Sequence, residues 1–292
     1  MPSSLGPPPT ATPPPAAAGM RVQQEQSYLP TAASMEEFAG HQPSDTTDGM
    51  SIKYANAYFL WTWDKTTIEG QTVLSHAKDH DEGMSLFFST TLALEANCRV
   101  KGHIIKELSP YELYKQYTHM KKEPSFNGLS ELIKVAEILK STGAVELNPE
   151  GIPTMRCTIS DYKLFDTKTP EGLSEALDHL RIHGPLVAVY PVTEYQRRNA
   201  DSFGILHGAE EQVLGVCQET EDEAEVSSSK STVCISGFGV EDLCSFLQFQ
   251  KFRRVQEEKG MFGRVLASSI LELIGFFVEA PTRCSKRQKK ET

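Results

Sequence analysis

Apolar residues recur at helical spacing in several stretches of the chain. Leu86, Phe87, Leu92 and Leu94 fall on more than one face of a helix, the mark of a helix buried in a core. Asp79, Asp81 and Glu82 precede it and place acids where the helix macrodipole favours them. Ser109 followed by Pro110 reads as an N-terminal cap and a first helical residue. Leu129, Leu132, Ile133, Ala136 and Leu139 predict a further helix that stops at Gly143, a C-terminal cap. Leu173, Ala176, Leu177 and Leu180 predict a helix over 171–183.

From about Ile152 the pattern shortens to strands, at 158–162, 184–190, 232–242 and 246–252. The apolar run 270–278 is interrupted by Glu272 and reads as a buried strand or helix. Helices early and strands late indicate an α+β chain. Ahead of the first helix, Tyr54, Tyr58, Phe59, Trp61 and Trp63 form an aromatic cluster, with order expected to begin near Ile52. Residues 1–50 are rich in Pro, Ala, Ser and Thr, bury too little to offset chain entropy, and are expected to be disordered.

Composition narrows the class. The 292 residues suffice for one large domain or two small ones, and 39% hydrophobic with 23% charged content is ordinary for a globular protein. No apolar run approaches the roughly 20 residues that span a bilayer, so no membrane partner is expected. Met1 to Pro9 shows neither the basic nor the apolar region of a secretory signal, and no pair of the six cysteines is spaced CxxC. Cys98 and Cys234 sit inside apolar patterns as small core residues. These features predict a cytoplasmic or nuclear address.

The net charge of −10 argues against a general nucleic-acid binder. Two charge blocks stand apart from this average. The acidic block 219–225 reads as a solvated loop, and Lys286, Arg287, Lys289 and Lys290 as a basic tail over 279–292. His76 with His80, and His179 with His183, are spaced i,i+4, but neither pair has a third ligand beside it. No metal and no cofactor are expected.

Five stretches, in order over about 60–270, resemble the papain-like cysteine peptidases. Phe88-Ser89-Thr90 and Ala93-Leu94-Glu95 resemble the family's central helix, whose first turn holds the nucleophilic cysteine. Leu108 to Leu113 resembles its Leu-Ser-Glu-Gln-Glu-Leu helix start, and Asn127-Gly128-Leu129 its Asn-Gly-Gly turn beside the peptide cleft. Gly184 to Tyr190 resembles its Gly-Pro-Val-Ser-Val-Ala-Ile strand, and Thr232 to Gly239 the strand that follows the catalytic histidine.

The resemblance implies an α+β, papain-like fold: a helical half at about 80–145, a β-barrel-like half at about 150–270, and an interdomain cleft, within a domain over 51–278. It implies a nucleophile's place at Ser85, a histidine's place at Ser231, an oxyanion donor's place at Asp79, and an asparagine's place at Gln250 or Lys251. The family's disulfide positions carry Glu82, Phe126 and Gln116, and no propeptide is recognisable.

A serine hydroxyl needs a general base, Ser231 is none, and a carboxylate at Asp79 would repel a developing oxyanion. Losing nucleophile and base together costs on the order of a million-fold in turnover. The expectation is a papain-like pseudopeptidase, an inactive module that binds a protein or peptide around Asn127 and Gly128. The alternatives are an active peptidase that uses Ser85 with a relocated base, His80 or His207, and a degenerate relative that binds nothing in its cleft.

Overall fold

The computed structural model of the chain describes residues 59–76, 83–192, 205–206, 229–241, 244–250 and 262–284. Strand β1 (Phe59–Thr62) and a small hairpin, β2 (Thr67–Ile68) with β3 (Gln71–Thr72), come first. Three helices follow: α1 (Ser85–Val100), α2 (Pro110–Met120) and α3 (Glu131–Ser141). Next are β4 (Ala144–Leu147), β5 (Pro153–Cys157), β6 (Ile159–Leu164), helix α4 (Pro170–His183) and β7 (Leu186–Val192). The chain closes with β8 (Ile205–Leu206), β9 (Ser229–Glu241), β10 (Cys244–Gln250), β11 (Phe262–Leu266), β12 (Glu272–Val278) and β13 (Thr282–Arg283).

The main sheet has eight strands in the order β6-β12-β7-β9-β10-β11-β8, with β1 also paired to β9. Its pairs are antiparallel except β11 with β8. Strand β7 shows how the sheet organises the interior. Its alternate side chains go to opposite faces. Val187 and Val189 join a core that holds Phe87, Phe88 and Leu92 of α1 together with residues of α2 and α3. Leu186, Ala188, Tyr190 and Val192 join a second core with Ala176 and Leu180 of α4 and with Trp63. Both faces are covered, which is why 186–192 reads as a nearly unbroken apolar run.

Helix α1 is buried from Phe87 through Arg99, as its apolar residues on several faces require. The other helices are bounded by local chemistry. The Ser109 hydroxyl accepts from the Glu112 amide at 3.2 Å and that of Ser130 from Ile133 at 3.4 Å. Thr169 caps α4 in the same way, with Pro170 at its first position. Gly143 ends α3 at φ +78°, where its amide donates to the Ile138 carbonyl, and a Cβ there would lie 2.5 Å from the Cys157 carbonyl oxygen.

The structure corrects the sequence expectations in several places. The β-rich part does not close into a barrel among the described strands, whose order runs open from β6 to β8. The β6 edge is blunted by charge: Asp161 pairs with Lys140 of α3 at 3.0 Å and Lys163 with Glu175 of α4 at 2.9 Å. The expected acidic helix start falls on Asp79, Asp81 and Glu82, which lie outside the described residues, and the first turn of α1 carries no acid. The run 270–278 is a strand, β12, and the strand expected at 158–162 extends to Leu164. Ile52, Tyr54 and Tyr58 also lie outside the described residues.

Candidate functional site

Ser85 is the first residue of α1 and is half-buried. The chain enters the helix through Gly83 at φ +84°, and the Met84 carbonyl accepts from the amides of Phe87 and Phe88 at 3.0 and 3.1 Å. One turn on, about 5.4 Å along the axis, Ser89 Oγ donates to the Thr232 carbonyl at 2.8 Å. This buried bond ties the head of α1 to β9, one residue past Ser231. The bond thus falls one turn after Ser85 and one residue after Ser231, the positions expected for nucleophile and base.

Their side chains take different faces. Ser231 pairs with Tyr190 in the β7–β9 register and shares its face with Val233 and Ile235 of the second core. Thr232 and Cys234 alternate to the other face, where Cys234 packs with α1. Neither α1 nor β9 contains a histidine. Among the described histidines, His103 lies just beyond the opposite end of α1 from Ser85, about 24 Å along a 16-residue helix. His119 ends α2, His179 and His183 belong to α4, and His76 is exposed. Asp79, His80, His207 and Lys251 are outside the described residues.

Gln250 is buried at the end of β10, opposite Cys234. Its Nε2 donates to the Ser75 carbonyl at 2.8 Å, and its Oε1 has no hydrogen-bond partner among the described residues. Ser75 links it to a network that sequence reasoning missed. The Ser75 hydroxyl donates to Glu95 of α1, whose other carboxylate oxygen accepts from the Leu108 amide at 2.7 Å. Arg99, one turn on, lies 3.8 Å from Glu95. It also donates to the Ser75 hydroxyl at 2.7 Å and to the carbonyls of Val73, Ile105 and Lys106.

Glu95 and Arg99 are both buried, a costly placement made tolerable by this satisfaction of their donors and acceptors. The network holds segments 72–75 and 105–108 against α1. An acid and an arginine at i,i+4 inside a helix that the apolar pattern marks as buried was the available signal.

Asn127 and Gly128 form an exposed turn after the 3-10 turn Pro124–Phe126. The Asn127 amide donates to the Pro124 carbonyl at 3.1 Å, and Phe126 anchors the turn in the helical core. Gly128 sits at φ +79° with open space where a Cβ would be. The turn is therefore accessible backbone held from beneath by a buried ring.

Two of the described thiols, Cys98 and Cys234, are buried in the core. A hydrogen bond with Cys157, followed by burial, drives the Cys98 thiol far above its ordinary range, and burial does the same to Cys234. Such thiols stay protonated and unreactive. No group of three metal-ligating side chains occurs among the described residues, and no helix there is long and apolar enough to cross a membrane.

No family model matches the sequence, and neither does any curated protein. Solved structures do. A chain from a structural study of the mite allergens Blo t 1 and Der p 1 aligns with a TM-score of 0.51 at 15% identity, over 83% of this chain and 81% of that one. The digestive procathepsin L 3 of Tenebrio molitor larval midgut aligns with a TM-score of 0.50 at 13% identity, over 75% of this chain and 69% of that one. Both are papain-like peptidases. At these identities the likeness is one of architecture, and the fold of this chain is papain-like.

Proposed function

We propose that this chain uses a papain-like fold without peptidase chemistry, as a module that binds a protein or peptide in a cleft between its helical half, about 80–145, and its β-rich half, about 150–270. The observation that carries this reading is the pairing of α1 with β9. The bond from Ser89 to Thr232 ties the two elements together close in sequence to Ser85 and Ser231, hydroxyl residues at the positions that the resemblance assigns to nucleophile and base. Ser231 cannot take a proton from Ser85, and it shares a face with Tyr190 instead of with α1.

The binding half of the proposal rests on the turn at Asn127 and Gly128, whose exposure would let the backbone groups not used inside the turn meet an extended ligand. A pool of random 12-residue peptides panned on the whole protein tests it. The selected peptides are expected to lose at least tenfold in affinity to Asn127→Arg and to Gly128→Asp, while the melting temperature of each variant stays unchanged. Aspartate is chosen at 128 because it tolerates a positive φ. Selected peptides that bind both variants as tightly as the parent would remove this turn from the site and favour a fold that binds nothing in its cleft.

A further inference from the structure

Helix α4 carries His179 and His183 one turn apart, both facing β12. Their ring centroids are 4.6 Å apart, and each ring meets Phe277 edge-on at 4.9 Å. His179 is only 5% exposed, touches Phe165 edge-on at 5.4 Å, and occupies the space that Gly275 of β12 leaves by having no side chain. Its Nε2 has no hydrogen-bond partner among the described residues.

The charges around this pair offer no compensation for a buried imidazolium. Lys101, just beyond α1, places its Nζ 3.4 Å from His183 Nδ1. Lys163 of β6 stands over the Phe165 ring at 5.5 Å and is paired to Glu175 of α4 at 2.9 Å. On α4 itself, Asp178 is turned to Arg181 at 3.7 Å. Strand β12 has one ionisable residue, Glu272 at its first position, and β9 between Thr232 and Val240 has only Cys234, kept protonated by burial. No carboxylate hydrogen-bonds or ion-pairs with either imidazole among the described residues.

Burial, followed by the neighbouring His183, pushes His179 down to about 4, against a backbone hydrogen bond to Phe276 that acts the other way. Burial, then Lys101, also lowers His183.

We propose that His179 and His183 form an acid-sensitive latch between α4 and β12, closed while both imidazoles are uncharged and opened when mild acid protonates them. Opening has a built-in reporter. Trp63, 6% exposed and one of two tryptophans in the chain, donates its Nε1 hydrogen to the Leu180 carbonyl of α4 at 2.8 Å. Lifting the last turns of α4 breaks that bond and wets the indole.

The test is hydrogen exchange of the whole protein at pH 7 and pH 5, corrected for intrinsic rates, with tryptophan emission recorded alongside. An imidazole that titrates at 6.5 when released and about 4 when docked raises the opening equilibrium about twenty-fold between these pH values. Amides of 176–183 are expected to show that rise and emission to shift red, while amides of α3 keep their protection. His179→Phe, which retains a ring against Gly275 but cannot titrate, is expected to cut the response to the smaller one that His183 alone sustains. Less than a two-fold change in α4, an equal change in α3, or an unchanged response in His179→Phe would each overturn the latch. Should that variant fail to fold, the comparison of α4 with α3 in the parent protein decides.

Discussion

Glu95 is a charged residue at zero exposure in the middle of a core helix, and its cost is offset only while every partner stays in place. Glu95→Ala would leave Arg99 buried without its counter-charge and the Leu108 amide without an acceptor. Removing one member of a buried pair typically costs about 3–5 kcal/mol. Urea unfolding of this variant is expected to show a loss of that size, and a loss under 1 kcal/mol would mean that the network adds little. Gly143→Ala is expected to lose about 2 kcal/mol or more in the same assay, since it combines a positive φ with a Cβ 2.5 Å from the Cys157 carbonyl. The two cases differ in how visible they are along the chain. Gly143 was legible because a helix stop is local chemistry. The roles of Glu95 and Gln250 were not, because their partners Ser75 and Leu108 come from segments that only the folded chain brings together.

Among the elements, the helices were the most readable. The periodicity of 129–139 and of 171–183 anticipated α3 and α4, and the Ser109-Pro110 step anticipated the start of α2. Ser109→Ala is expected to lower stability by about 1 kcal/mol through an unsatisfied first turn, measurable by thermal unfolding. Barrel closure was the element-level expectation that failed. Closure depends on pairing between edge strands far apart in sequence, and β6 carries charges tied to α3 and α4 along its edge.

The histidine pair on α4 sets a pH dependence with a definite sign. Because His179 is held below its ordinary value, the unfolded chain takes the proton first. Stability is therefore full above about pH 6.5 and is lost as pH falls toward about 4, by on the order of 2–3 kcal/mol. Denaturant midpoints recorded across that window should fall with acid in the parent and much less in His179→Phe.

At the scale of the molecule, one sheet with a core on each face holds the head of α1 against β9, and the proposed function turns on what stands there. The order of helices and strands carried the fold in the sequence. The faces taken by Ser231 and Cys234 did not follow from it, because they depend on the strand register that pairs Tyr190 with Ser231. Turnover of a broad fluorogenic peptide panel from pH 4 to 9, comparing the parent protein with Ser85→Ala, tests the reading most directly. The account predicts that neither exceeds a protein-free blank at any pH. Hydrolysis by the parent that Ser85→Ala abolishes would contradict it, make Ser85 a nucleophile, and turn the search for its base to His80 and His207.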